Sequence, residues 1–212
     1  MKDWLTIALS KGRLLNDSII LLNKVGISHP QLLLNGRRLL FDLPNQKIRL
    51  LLVRAADTPT YVEYGAADIG ISGKNILLED EKEIFEPLDL KFGFCRIILA
   101  EPIGAELTRK KNSSKLTIAT KYPGITEKFF SQKGISVEMI KLGGSIELAP
   151  MLGLADQIVD LVSTGATLKA HHLKIVEEIA SSTARLIVNR ASLKLKYQRV
   201  FELIDQIKSV IS

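Results

Sequence analysis

Short apolar runs of strand length alternate with amphipathic stretches of helix length along this chain, and the alternation breaks off once and then restarts. The first series predicts a strand over 5–10 and a helix over 14–25, whose Leu15, Ile19, Leu22 and Val25 share one face and which Gly26 closes. Strands over 39–43 and 48–53 follow as a hairpin through Pro44-Asn45-Gln46-Lys47, then a helix over 59–64 stopped by Gly65, a short strand over 68–72 and a long buried one over 92–100. Residues 101–114 are polar and lysine-rich and read as an edge or crossover. The alternation then resumes with strands over 116–120, 137–142, 158–162 and 185–188 and helices over 126–133, over 146–152 and from 166. Such a pattern requires largely parallel sheets covered by helices, here as two α/β units in tandem, with no internal sequence repeat evident. Leu193, Tyr197, Val200, Ile204, Ile207 and Ile211 place one apolar stripe on a single terminal helix, suited to docking on its own sheet or to pairing with a partner.

A chain of 212 residues with 46% hydrophobic and 25% charged residues is long enough to bury a core without cross-links. It has one cysteine, Cys95, within a predicted strand, and three histidines, so an intrachain disulfide and a Cys/His zinc cluster are both excluded and a reducing cytoplasm fits. The net charge of +6 favours a polyanionic partner without choosing among nucleic acid, membrane and phosphorylated small molecules. No apolar stretch reaches the ~20 residues of a membrane span, and no export signal follows the first strand. Nucleic-acid binding needs a basic face interleaved with exposed aromatics, whereas one Trp, four Tyr and seven Phe are scattered along the chain.

The most informative segment is Asp160-Leu-Val-Ser-Thr-Gly-Ala-Thr-Leu168. An apolar strand runs into Ser163-Thr164-Gly165-Ala166-Thr167, a hydroxyl-rich loop that opens a helix. A monophosphate needs several N–H donors converging on it with no side chain in the way, and such a loop provides them. Asp160, just ahead, is placed to accept hydrogen bonds from a sugar diol. The same residues also make an ordinary helix cap, and the segment alone leaves both open. Ser10-Lys11-Gly12-Arg13 leaves the first strand at its carboxyl end, where open α/β sheets place ligands, and its two cations suit a pyrophosphate or triphosphate as well as a plain basic turn. Arg54-Ala-Ala-Asp57 follows another strand and Gly36-Arg37-Arg38 precedes one, so basic clusters recur at strand ends. Pro59 puts Asp57 near a helix cap.

Ser145 and Glu147 sit at a further strand–glycine–helix junction, Ser145 as candidate cap and Glu147 in the first turn. Ser-x-Glu is one residue short of a capping box, which leaves the carboxylate free for ribose hydroxyls or, through water, Mg²⁺. His171 and His172 point about 100° apart on a helix and cannot easily share a metal, which leaves them solvated or capping. P-loop, zincin and nucleophile-elbow motifs are absent.

These segments, in this order, resemble the ATP phosphoribosyltransferase family: Ile-Ala-Leu-Ser-Lys-Gly-Arg-Leu at 7–14, Val-Arg-Ala-Ala-Asp-Thr-Pro-Thr-Tyr-Val-Glu at 53–63 and Gly-Ala-Ala-Asp-Ile-Gly-Ile-Ser-Gly at 65–73. The match continues through Ile-Ala-Thr-Lys-Tyr-Pro at 118–123, Gly-Ser-Ile-Glu-Leu-Ala-Pro-Met-Leu-Gly-Leu-Ala-Asp at 144–156, the hydroxyl loop at 160–168 and Arg-Leu-Ile-Val-Asn at 185–189. The resemblance implies an α/β, two-lobed, periplasmic-binding-protein-like (type II) fold with a ligand cleft between lobes. Lobe I would be 1–98 plus 186–212, carrying the ATP side and terminal helix, and lobe II 99–185, carrying the phosphate loop. It implies a glycosyltransferase reaction in which N1 of ATP attacks C1 of 5-phosphoribosyl 1-pyrophosphate (PRPP), giving phosphoribosyl-ATP and pyrophosphate, the first step of histidine biosynthesis. Mg²⁺ would be carried by the substrate phosphates, with no metal site built by the protein.

By the same resemblance, Ser163, Thr164, Gly165, Ala166 and Thr167 take the ribose 5′-phosphate, with Glu147 and Asp160 near the ribose. Lys11, Arg13, Arg54 and Asp57 belong to the ATP side, and Arg13 and Arg37 act in catalysis, Arg37 as the leaving-group arginine. A short form is implied, without a regulatory domain, in the cytoplasm, as a homo-oligomer joined by a histidyl-tRNA-synthetase-like regulatory subunit. The chain departs from the family pattern at His171-His172, at Asn75 and at Gly143. A non-catalytic small-anion or nucleotide sensor of the same fold is the alternative. It would not need Arg13, Arg37 and the hydroxyl loop together.

Overall fold

The computed structural model describes residues 4–32, 37–104 and 115–211, so Gly36 and most of the expected crossover at 101–114 lie outside the described residues. The chain divides into two compact units, Met1–Gly93 with Thr183–Ser212, and Phe94–Ser182. The expected boundaries at 98/99 and 185/186 would each cut a continuous strand.

The first unit holds a six-stranded sheet of β1 (Leu5–Ser10), β2 (Leu40–Leu43), β3 (Ile48–Val53), β4 (Ile69–Gly73), β5 (Ile84–Asp89) and β11 (Ala184–Asn189), in the order β2-β3-β1-β4-β11-β5. β1 runs parallel to β3 and β4, while β2 and β11 pair antiparallel with β3 and β4. β1 is apolar along its length because helices cover both faces of the sheet. Leu5, Ile7 and Leu9 join a core with Ile19 and Leu22 of α1 (Leu15–Lys24), and Ala8 packs on the other face with Val62 of α2 (Thr58–Glu63). Two elements were not expected: α3 (Lys74–Glu79) and β5.

The second unit holds β6 (Cys95–Pro102), β7 (Leu116–Thr120), β8 (Val137–Lys141), β9 (Gln157–Val162) and β10 (Leu173–Ser182), in the order β10-β6-β9-β7-β8. β7 is parallel to β8 and β9, and β6 is antiparallel to β9 and β10. Its helices are α4 (Pro123–Gln132), α5 (Leu148–Met151) and α6 (Ala166–Ala170). β6 begins three residues later than the 92–100 expectation, because Lys91 and Gly93 take positive φ (63° and 67°) and turn the chain. Cys95 opens β6 fully buried, and β10 was not expected.

The single terminal helix expected from the stripe is two, α7 (Arg190–Leu195) and α8 (Tyr197–Ile211). Asn189 caps α7 by accepting from the Ser192 N–H at 2.9 Å. The break falls at Lys196, whose Nζ turns inward to the Trp4 carbonyl and to Asp68 at 2.7 Å. Val200, Leu203, Ile204 and Ile207 enter the first unit's core, each fully buried apolar side chain contributing about 1.5–3 kcal/mol. Docking on its own sheet therefore explains the stripe, apart from Tyr197, which stays exposed.

The two units also repeat one another, which overturns the expectation of no repeat. Leu5-Thr-Ile-Ala8 in β1 recurs as Leu116-Thr-Ile-Ala119 in β7. The Thr6 N–H donates to Asp68 Oδ2 at 2.8 Å and the Asp68 N–H to the Thr6 carbonyl at 2.9 Å. Thr117 and Asp156 make the same two bonds at the same lengths. Registers match too, Ile7 with Ile69 and Ile118 with Gln157. Both following helices end on Gly-Ile-Ser, at Gly26 and Gly134, each glycine left-handed (φ 78° and 68°) as such a helix stop requires. Loops of unequal length between these landmarks hide the repeat from a fixed-period scan.

Candidate functional site

In the second unit β9 delivers Asp160 and then turns through Ser163, Thr164 and Gly165 into α6. Gly165 sits at the cap position with φ 79°. A Cβ there would meet only Val162 at 3.9 Å, so the left-handed backbone rather than crowding calls for glycine. The Ala166 N–H leans on Thr164 Oγ1 at 3.4 Å, and buried Leu168 pins the helix beneath. Ser163, Thr164 and Thr167 keep exposed hydroxyls.

A cavity of about 350 Å³ opens at this loop, with Asp160, Ser163, Thr164, Gly165 and Thr167 on its walls and Ile158, Val162 and Leu168 among its apolar lining. Glu147 also lines it, brought in from the junction before α5. Glu147 occupies the cap position of α5 yet makes no capping bond. Ser145, the expected cap, is instead a left-handed residue (φ 51°) ahead of a helix that begins only at Leu148. The structure thus gathers Glu147, Asp160 and the hydroxyl loop into one pocket.

Burial pushes the Asp160 carboxyl above the usual carboxylate range, and the nearby charge of Glu147 adds to the effect. A hydrogen bond from the Leu161 N–H and the cation of Lys121 oppose it. A carboxylate desolvated in this way, with acceptor capacity to spare, is well placed to receive hydroxyl donors.

In the first unit the expected residues collect at the carboxyl edge of the parallel strands. Lys11 follows β1, and its N–H donates to the Val53 carbonyl at the end of β3 at 2.8 Å. Gly12 is left-handed (φ 93°), and Arg13 donates to the Gly93 carbonyl at 2.9 Å. The Arg54 carbonyl accepts from the Asp57 N–H at 2.9 Å, closing a turn into α2. Asp57 occupies that helix's cap position without a side-chain capping bond, so its carboxylate remains exposed. Arg37 lies three residues ahead of β2, outside that strand's pairing with β3, and is exposed. Below, buried Ser10 Oγ is linked to Thr58 Oγ1 and to the Ile71 carbonyl, each at 2.8 Å, tying β1, α2 and β4 together. Sequence reasoning gave Ser10 and Thr58 no part, because only strand packing joins them.

No three metal-ligating side chains cluster among the described residues. His171 follows the last turn of α6 and His172 is left-handed (φ 52°), so both shape the end of that helix. No described helix is long and apolar enough to cross a membrane.

Fold and site together define an α/β protein of the type II periplasmic-binding-protein class, bearing a hydroxyl loop and paired carboxylates in one unit and a cationic strand edge in the other. The family model HisG, ATP phosphoribosyltransferase, matches residues 54–209. An "ATP phosphoribosyltransferase 2" from Geobacter sulfurreducens is 56% identical over 206 residues, covering 97% of each chain. The solved "ATP phosphoribosyl transferase (HisG:HisZ) complex from Thermotoga maritima" superposes with TM-score 0.84 at 35% identity, covering 98% of each chain. An alkanesulfonate-binding protein, SsuA from Xanthomonas axonopodis pv. citri, shares the fold alone, at TM-score 0.55 and 11% identity over 97% of this chain and 72% of the other. The chain belongs to the ATP phosphoribosyltransferase family.

Proposed function

We propose that this chain condenses ATP with PRPP, giving phosphoribosyl-ATP and pyrophosphate at the first step of histidine biosynthesis. The observation that carries the reading is the pocket in which Glu147 and Asp160 meet Ser163, Thr164, Gly165 and Thr167, with Ala166 outside its lining, in a chain of this family. The loop N–H groups and hydroxyls hold the ribose 5′-phosphate, and Asp160 and Glu147 accept from the ribose hydroxyls. Lys11, Arg13, Arg54 and Asp57 serve the ATP side. As adenine N1 bonds to ribose C1, the C1–O bond to pyrophosphate breaks and its electron pair leaves with the pyrophosphate.

N1 already carries a lone pair, so strong base catalysis is unnecessary and the barrier lies in departure of the leaving group. Orientation and cationic stabilisation by Arg37 and Arg13 carry most of the catalysis. Mg²⁺ would be carried by the substrate phosphates and would offset part of their charge. The two pocket carboxylates are oxygen donors of the kind that hold hydrated Mg²⁺ through water. A histidyl-tRNA-synthetase-like subunit, as in the HisG:HisZ complex, is the natural regulatory partner, and the cytoplasm the natural location.

Mixing the chain, with and without such a subunit, with ATP, PRPP and Mg²⁺ yields the ultraviolet absorbance of phosphoribosyl-ATP. Absence of product in both cases moves the reading to an anion sensor of the same fold. Arg37→Ala removes a charge-assisted hydrogen bond strongest in the transition state. Turnover should fall roughly 10- to 100-fold, for about 1.5–3 kcal/mol, and normal turnover shows the arginine misassigned.

A further inference from the structure

Asp89 ends β5 and has no part in the function proposed above. Its Oδ1 accepts from the Lys91 N–H at 2.9 Å and from Thr183 Oγ1 at 2.8 Å. Its Oδ2 lies 3.3 Å from Arg185 Nη2 and 3.5 Å from Lys91 Nζ. The chain leaves the first unit after Gly93 and returns to it at Thr183, so one half-buried carboxylate holds both the outgoing and the returning segment. The backbone ties the same segments together, the Leu90 N–H donating to the Ala184 carbonyl and the Ala184 N–H to the Phe92 carbonyl, each at 2.9 Å.

The outgoing segment has an unusual shape to keep. Lys91 is left-handed (φ 63°), which is disfavoured for a residue with a side chain, and an aspartate accepting from the N–H two positions on supports such a turn. Gly93 follows with φ 67°, and its carbonyl accepts from Arg13 Nη1 at 2.9 Å. A methyl group added to Gly93 would run into the Leu14 side chain, so the turn after β1 and the outgoing segment are packed closely together. A guanidinium carries five N–H donors in a rigid fork, and one of them spent on a fixed carbonyl sets the direction of the rest.

We propose that Asp89 is a positioning residue for Arg13, acting through the turn it holds and the Gly93 carbonyl. This rests on the reading that Arg13 serves the ATP side and the departure of pyrophosphate. Arg13 stands in an exposed turn, where an unheld arginine side chain samples many rotamers. Orientation is where the reaction gains much of its rate, so the bond to Gly93 leaves the remaining donors of Arg13 already aimed.

The test is steady-state turnover of the full chain with ATP, PRPP and Mg²⁺, with thermal unfolding alongside. It compares wild type, Asp89→Ala and Asp89→Asn, each also in an Arg13→Lys background. Asp89→Ala should lower kcat roughly three- to tenfold, the scale of one lost hydrogen bond. Asp89→Asn keeps an accepting oxygen for the Lys91 N–H and Thr183, and should recover kcat to within about twofold while losing stability with its charge. Arg13→Lys lacks the fork and should itself be slow, and Asp89→Ala should then cost less than about twofold more, because residues acting through one another are not additive. Should Asp89→Ala not fold, Thr183→Val takes its place in the cycle, since it removes one donor to Asp89 and leaves the ion pairs. No loss of kcat, full additivity with Arg13→Lys, or Asp89→Asn no faster than Asp89→Ala overturns the role of Asp89 and leaves the reaction intact. Arg13→Lys as fast as the wild type overturns the reading of Arg13 on which that role rests.

Discussion

Asp68, at the entry to β4, and Asp160, near the exit of β9, are both withdrawn from solvent, and the protein treats them in opposite ways. Asp68 accepts from the Thr6 N–H at 2.8 Å, from Ser192 Oγ at 2.6 Å and from Lys196 Nζ at 2.7 Å, binding β1, β4 and the break between α7 and α8 into one frame. Asp160 has the Leu161 N–H and a more distant Lys121, and otherwise faces a cavity. A carboxylate answered from within holds the fold together, whereas one left short of donors is open to a ligand.

The contrast breaks most readily at Asp68. Asp68→Asn leaves the Lys196 ammonium without its counter-charge in a half-buried setting and should cost about 3 kcal/mol, the lower end for a broken buried pair. A fall in the denaturant midpoint at constant slope reads this directly, and an unchanged midpoint would erase the distinction between the two aspartates.

Asp160→Asn should do the reverse. PRPP affinity falls roughly 10- to 100-fold as about 1.5–3 kcal/mol of charge-assisted hydrogen bonding is lost, while stability at neutral pH rises. The sign follows from the upward shift of its pKa. The ionised acid is penalised in the folded state above that raised value, and the penalty disappears as pH falls through it toward the unfolded value. Unfolding measured across this range should show that gain in the wild type and not in the variant. The smallest effect is expected at Asp156, the counterpart of Asp68. It holds the exposed Thr117 N–H, and Asp156→Ala should cost about 1 kcal/mol or less in the same unfolding assay.

What the sequence made legible follows the same physics. β1, β7 and β9 carry buried residues on both faces, and β3 is buried on one face and half-buried on the other, so their apolar runs announce them. β10 reads Leu-Lys-Ile-Val-Glu-Glu-Ile-Ala-Ser-Ser, and irregularities between Ile175 and Glu177 and between Glu178 and Ala180 break the alternation that would have marked it. β5 contains Pro87, which argues against a central strand, and β5 is indeed at the sheet edge. The hydroxyl loop was visible because its chemistry is contiguous. The Leu-Thr-Ile-Ala repeat was present in the letters, yet it became meaningful only once Asp68 and Asp156 were seen to clasp it identically.

The position of β11 bears on how the molecule is made. This strand lies between β4 and β5, so the first sheet has a gap in it until residue 189 has left the ribosome. Phe94–Ser182 is one uninterrupted stretch and has all five of its strands by then. During synthesis the middle of the chain can therefore settle first, while the segment translated before it waits, its β4 edge unpaired and its apolar face uncovered, for a strand and two helices still to come.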